Sequence, residues 1–208
     1  MDKQLLIVDD EPRLITSFKV ILESRGFCVQ TASSGKAAID AYQKQPAKVV
    51  ISDIQMPEMD GIQLMHALKQ LDPCVQIILL TGYTSVENAA QALKQNNAFD
   101  YIAKPVKSMD NLCTLIERAQ KKYDLEQKFL RQKKKNEKGF AIFKSIFDSM
   151  EAVVYVSDIQ THELIYTNKK FNERFHNGTP VPPGTKCWQV IQKDKTAPCD
   201  FCTNRRSE

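Results

Sequence analysis

Four short, mainly apolar runs, each followed or closed by a residue able to do chemistry, constrain this chain more than any other feature. Leu5 to Val8 leads to Asp9 and Asp10, Val49 to Ser52 leads to Asp53, Ile77 to Leu80 delivers Thr81, and Tyr101 to Ala103 leads to Lys104. Runs this short and apolar, set between amphipathic helical stretches, read as parallel strands buried on both faces. The intervening helices show apolar residues at helical spacing: Leu14, Ile15, Phe18, Ile21 and Leu22; Ala37, Ala38, Ile39 and Ala41; Ile62, Leu64, Met65 and Leu68; then Val86, Ala89, Ala90 and Leu93. Pro12 suits a first helical turn, while Gly26, Pro46, Pro73 and Asn96-Asn97 punctuate helix ends. A strand-helix unit repeated five times, with right-handed crossovers, predicts an α/β fold: a five-stranded doubly wound parallel sheet.

Open sheets of this kind place their chemistry in the loops at the carboxyl edge, so four strand ends are expected to converge on one crevice. Crowding Asp9, Asp10 and Asp53 there is unfavourable unless a cation offsets their repulsion. All-oxygen donors suit magnesium, which keeps several waters and takes few protein carboxylates. Asp10 and Asp53 are expected to bind it directly with the Gln55 carbonyl beside them, and Asp9 directly or through water. Asp53 is then the candidate nucleophile, attacking phosphorus to form an acyl phosphate. Lys104 offsets charge on the phosphoryl oxygens, and the Thr81 hydroxyl donates to one of them.

Asp9-Asp10-Glu11-Pro12, Asp53-Ile54-Gln55-Met56-Pro57 with Asp60-Gly61, Thr81-Gly82 and Lys104-Pro105 together resemble the receiver domain of two-component response regulators, over about residues 4 to 122. The resemblance implies a flavodoxin-like strand order and a phosphoryl group passed to Asp53 from a histidine kinase or phosphotransfer protein. It also implies a cis peptide at Lys104-Pro105, and Thr81 and Tyr101 as reporters of phosphorylation. Taken singly, each piece has a commoner explanation: a solvated turn at Asp9-Asp10, a cap at Thr81, a surface charge at Lys104, a turn pair at Asp60-Gly61. Their order at successive strand ends is what favours the functional reading. Rival phosphate chemistries fail on residues, because Gly35-Lys36 is followed by Ala37 rather than Ser or Thr, and no Gly-x-Gly-x-x-Gly is present. Hydrolase and zinc-protease motifs are likewise missing.

With 208 residues, 26% of them charged and 42% hydrophobic, the chain suits one or two soluble domains, and a net charge of +4 makes no case for nucleic acid. Met1-Asp2-Lys3 leads straight into a strand, and the nearby apolar runs are too short for a signal core or a membrane span. A cytoplasmic protein with reduced cysteines and no membrane partner is the expectation.

From Ser108 the helical pattern does not stop. Leu112, Leu115, Ile116, Ala119, Tyr123, Glu126 and Leu130 keep an approximate heptad seam, which marks residues 123–139 as a helical linker and raises homodimerisation through it, or through the fourth and fifth helices. Lys133-Lys134-Lys135 reads as a solvated face. Beyond Gly139, residues 140–208 are predicted to form an apolar helical face at Phe140, Phe143, Phe147 and Met150, a strand over 152–156 and a second over 164–167. Asn168 caps a following helix. With Asp158, Ile165, Tyr166 and Phe171 this stretch resembles the opening half of a PAS sensor domain, a partial α+β segment. Two strands alone are at best marginally stable, so a fragment of a longer protein is expected. Cys199 and Cys202 have metal-knuckle spacing, with Cys187 and His162 or His176 as further candidates. Buried thiols near Phe201 and Trp188 are the commoner reading of such a set, and redox chemistry is a third. The expected function is therefore that of a magnesium-dependent phosphoacceptor switch, not an enzyme in itself. The alternatives are the input half of a hybrid histidine kinase or cyclic-dinucleotide synthase, and a non-phosphorylated dimerisation scaffold.

Overall fold

The computed structural model describes residues 4–82, 98–192 and 197–198. The helix expected around Val86 to Leu93 lies outside them, as do Cys199 and Cys202. The chain divides into two compact units, Met1–Arg131 and Gln132–Glu208.

In the first unit, β1 (Gln4–Val8), β2 (Cys28–Ala32), β3 (Val49–Asp53), β4 (Gln76–Thr81) and β5 (Asp100–Ala103) form one all-parallel sheet in the order β2-β1-β3-β4-β5. Successive side chains alternate between two buried faces. Leu6, Val8, Val50, Ile77 and Leu79 meet α2 (Gly35–Lys44) and α3 (Gly61–Leu71) through Ala38, Tyr42, Leu64, Met65 and Leu68. Leu5, Ile7, Val49, Ile51, Ile78 and Leu80 meet α1 (Pro12–Ser24) through Phe18 and Leu22, and the first turns of a long helix, Met109–Ser149, through Leu112, Ile116 and Ala119. Each buried Val, Leu, Ile, Met or Phe side chain contributes about 1.5–3 kcal/mol, which is why near-continuous apolar runs encode the central strands β1, β3 and β4, while edge strand β2 alternates.

The helix starts are local. Pro12 occupies the first turn of α1, the Ser34 hydroxyl accepts from the Ala37 amide at 3.3 Å, and Asp60 and Gln63 form a reciprocal capping box at α3, with bonds of 2.7 and 3.1 Å. Gly26, at φ 83°, reverses the chain after α1.

The heptad seam behaves differently from its sequence reading. Leu112, Ile116 and Ala119 are spent in the sheet core, and the next turns make polar contacts to the same unit. The Tyr123 hydroxyl donates to Asp72 Oδ2 at 3.0 Å, Gln127 Nε2 donates to Asp72 Oδ1 at 3.2 Å, and Glu126 accepts from Gln76 Nε2 at 2.9 Å. A stripe recurring about every 3.5 residues names one helix face without naming what covers it; here, as far as Gln127, the receiving surface is intramolecular.

In the second unit, β6 (Tyr155–Ser157) and β7 (Leu164–Thr167) form an antiparallel pair. Short helices at Lys169–Phe175 and Cys187–Ile191 complete a small core of Leu164, Phe171, Cys187 and Val190. Phe143 and Phe147 of the long helix stack edge-on to one another, and both rings lie within about 6 Å of Tyr166. Gly139 does not interrupt this helix, since a lone interior glycine costs only about 1 kcal/mol relative to alanine. The strand expected from Ala152 begins instead at Tyr155. Fully buried Asn168 takes up the preceding backbone, accepting from the Val154 amide at 3.0 Å and donating to the Ala152 carbonyl at 2.9 Å, besides capping its own helix at Phe171. Among the described residues no helix is long and apolar enough to cross a membrane.

Burial first, then the Asp72 charge and hydrogen bond, push the Tyr123 phenol up to about 12, and the same causes raise the Tyr42 phenol further. A proton held more tightly in the folded state stabilises fully below the ordinary phenol value of 10.0 and is lost as pH climbs through the folded value. Absorbance titration of the native protein is therefore expected to show late-ionising tyrosines above pH 10.0, and Tyr123→Phe should remove one of these late steps.

Candidate functional site

The strand order reverses direction between β1 and β3, and a ligand crevice in an open α/β sheet forms outside the carboxyl ends at such a switch point. Asp9 follows β1 directly and Asp53 closes β3, so the two carboxylates come from adjacent strands; Lys104 follows β5. The Lys104 ammonium lies 2.8 Å from Asp9 Oδ2 and 2.8 Å from Asp53 Oδ2, joining residues 95 positions apart. Asp9 is fully buried and its Oδ1 accepts the Glu11 amide at 2.9 Å, which fixes the carboxylate at the start of α1. Asp53 is 7% exposed, Asp10 is exposed, and oxygens of Asp9, Asp10 and Asp53 all lie within 4.8 Å of one another. Three carboxylates against one ammonium leave two negative charges uncompensated, the charge of one divalent cation. The all-oxygen donor set suits a hard ion.

The other sequence candidates fall around this pocket unevenly. Thr81, 3% exposed, ends β4, and its carbonyl accepts the Lys104 amide at 2.7 Å. Gln55 is exposed in the loop two residues past Asp53. Tyr101 lies half-buried in β5 against the α2 and α3 side of the core. Pro105 is exposed and its peptide bond with Lys104 is cis. Cys187 belongs to the second unit, buried, with its amide donating to the His162 carbonyl at 3.0 Å.

Two residues hold the backbone at Asp53 in ways that the sequence does not reveal. Gly61, half of the Asp60-Gly61 pair in the family pattern, is the first residue of α3. A Cβ there would overlap the Asp53 carbonyl oxygen, and the Gly61 amide donates to Ile54 O at 3.0 Å. Only glycine lets α3 close so tightly on the backbone of Asp53. Ser52 is the other, buried, donating its hydroxyl to the Asp53 carbonyl at 2.9 Å.

Fold and pocket together define a flavodoxin-like α/β domain with an acidic, lysine-bridged crevice at its carboxyl edge. Comparison with known proteins narrows this class. The family model of the response regulator receiver domain matches residues 5–117, more than half of the sequence, and the chain belongs to that family. It is 37% identical over 115 residues to the transcriptional regulatory protein ZraR of Escherichia coli K12, a match covering 55% of this chain and 26% of that relative. The chain thus spans about a quarter of the length of this curated relative. Among solved structures it is similar to a response regulator receiver domain protein from Clostridium thermocellum, with a TM-score of 0.53, 32% identity, and coverage of 58% of this chain and 96% of that one. A second is described as an adenylate cyclase from Rhodopirellula baltica, with a TM-score of 0.59, 29% identity, and coverage of 65% and 99%. Receiver domains are the phosphoacceptor switches of two-component response regulators, and the first unit is a domain of this kind.

Burial works to lower the Lys104 pKa, but hydrogen bonds to Asp53 and Asp9 and their charges more than offset it, raising the value above 10.5. The stabilisation from this raised pKa is complete below pH 10.5 and disappears as pH rises through the folded value. Urea unfolding in alkaline buffers should therefore show a shallower loss of stability above pH 10.5 for Lys104→Met than for wild type. Parallel curves for the two proteins would contradict the ion pair.

Proposed function

We propose that Asp53 is the phosphoacceptor of this receiver and that magnesium is held by Asp9, Asp10 and Asp53 with the Gln55 carbonyl. The observation that carries the reading is the Lys104 ammonium placed at 2.8 Å from both Asp9 and Asp53, which gathers the acidic side chains and a phosphate-binding cation in one pocket. Bound there, the metal supplies charge neutralisation for phosphoryl oxygens. An Asp53 carboxylate oxygen attacks the phosphorus of a phosphohistidine on a histidine kinase or phosphotransfer protein. A P–O bond forms, the P–N bond breaks, and its electron pair passes to the imidazole nitrogen, which takes up a proton. Lys104 transfers its contact from the Asp53 carboxylate to a phosphoryl oxygen, and the Thr81 hydroxyl donates to another. Thr81, Tyr101 and the Lys104-Pro105 segment then report the change, because a modification shifts a two-state equilibrium only by its differential interaction with the two states.

Residues 1–122 serve as the receiver, 123–139 as a helical linker and 140–208 as a partial PAS-like segment. The β6–β7 hairpin, the Asn168 cap and the buried Phe171 support the last assignment. Pairing with a second copy, through the fourth and fifth helices or the linker, belongs to the same proposal, and the exposed Leu125 and Phe129 favour the linker. A structural neighbour described as an adenylate cyclase favours, as a second reading, an input role for a catalytic output such as a hybrid histidine kinase or cyclic-dinucleotide synthase. Because the relative ZraR is named a transcriptional regulatory protein, the expectation of no nucleic acid is not carried to the whole protein.

Incubation with acetyl phosphate and magnesium should place one base-labile phosphoryl group on the wild-type chain and none on Asp53→Asn. Labelling that survives this substitution would refute the assignment.

A further inference from the structure

The edge of the sheet opposite the acidic pocket holds a second polar cluster that the chemistry at Asp53 does not use. Asp72 is the residue that closes α3, its amide donating to the Leu68 carbonyl at 2.8 Å. Its carboxylate is saturated by four donors from three places in the chain. Oδ2 accepts the Tyr42 hydroxyl of α2 at 3.1 Å and the Tyr123 hydroxyl of the long helix at 3.0 Å. Oδ1 accepts the Cys74 amide at 2.9 Å and the Gln127 side-chain amide at 3.2 Å. One turn of the long helix therefore presents two donors, at spacing i and i+4, to a single carboxylate.

The other end of α3 is the end that closes on the phosphoacceptor. Gly61 sits so near the Asp53 carbonyl that no side chain fits, and its amide is bonded to Ile54 O. The helix between is a single rod of eleven residues, about 16 Å long, with Leu64, Met65 and Leu68 fully buried along it. Strand β4 offers a parallel connection. Thr81 stands at its pocket end, and buried Gln76 at its opposite end donates to Glu126 at 2.9 Å. These two elements, α3 and β4, thus end at the far edge in residues hydrogen-bonded to the 123–127 turn of the long helix.

We propose that the Asp72 carboxylate is the junction through which a change at Asp53 is passed to the long helix, with α3 as the rigid arm between them. The coupling rests on Asp53 being the phosphoacceptor. It requires the arm to move as a body, which a packed helix does more readily than it deforms. The hydroxyl donors suit a lasting tie, because both phenols stay protonated well beyond neutral pH.

Hydrogen exchange on peptides covering residues 120–131 of the full chain, with and without acetyl phosphate and magnesium, tests this in wild type, Asp72→Ala and Tyr123→Phe. Tyr123→Phe removes one bond and keeps the ring, so it answers the question even if Asp72→Ala folds poorly. Without phosphodonor, exchange in this segment should rise about tenfold in Asp72→Ala and less in Tyr123→Phe, as expected for loss of hydrogen bonds to a charged group. Labelling of Asp53 should stay at the wild-type extent in both variants. With phosphodonor, the wild-type segment should change its protection, and that change should shrink in both variants. Wild-type exchange rates in the unphosphorylated variants, or an undiminished phosphodonor response, would overturn the junction. A wild-type chain that takes no label would overturn the Asp53 reading and the coupling with it, an outcome distinct from label without transmission.

Discussion

A parallel sheet buried on both faces is the constraint from which the rest of this domain follows. Parallel strands cannot be joined by tight turns, so each connection crosses over a face, and all five strands finish at the same edge. Asp9, Asp53, Thr81 and Lys104 become neighbours through this geometry and through no local motif. Once gathered, the acidic groups would repel one another, and the Lys104 ammonium reaching both Asp9 and Asp53 is the protein's own partial answer. The remaining negative charge matches that of one hard divalent cation, which is the basis of the magnesium and phosphoryl roles proposed for the pocket.

Along its length the helix Met109–Ser149 is put to unlike uses. Leu112, Ile116 and Ala119 complete one face of the receiver sheet as any core helix would. Tyr123, Glu126 and Gln127 continue the same face with polar contacts, to Asp72 and Gln76, where the sheet has ended and apolar burial is no longer on offer. Later turns, in the second unit, carry Phe143 and Phe147 against Tyr166. A helix with such changes of partner keeps one regular backbone, because each stretch is stabilised by what it packs on more than by its own propensity.

Chemistry and packing share residues in the receiver more closely than the motif view suggests. Asp53, the proposed phosphoacceptor, is also a core position on β3, its carbonyl held by the Ser52 hydroxyl and overlain by the first residue of α3. Asp9 is fully buried and held by the Glu11 amide and by Lys104. A carboxylate restrained in this way has little orientational freedom to lose when it acts.

The sequence by itself determined the doubly wound sheet, the positions of four of its five strands to within a residue or so, with β2 left unplaced, and the candidates Asp9, Asp10, Asp53, Thr81 and Lys104. Each is legible because a buried strand is a local apolar run and its carboxyl end is simply the next residue. Only the tertiary structure decided what covers the stripe on the long helix, since periodicity reports a buried face and says nothing of the surface that buries it. Asp72 was invisible for the related reason that its partners, Tyr42, Tyr123 and Gln127, lie 30, 51 and 55 residues away with no spacing in common. The late start of β6 has the same origin: a distant asparagine side chain outbids the strand for backbone hydrogen bonds, and such competition is settled by proximity in space.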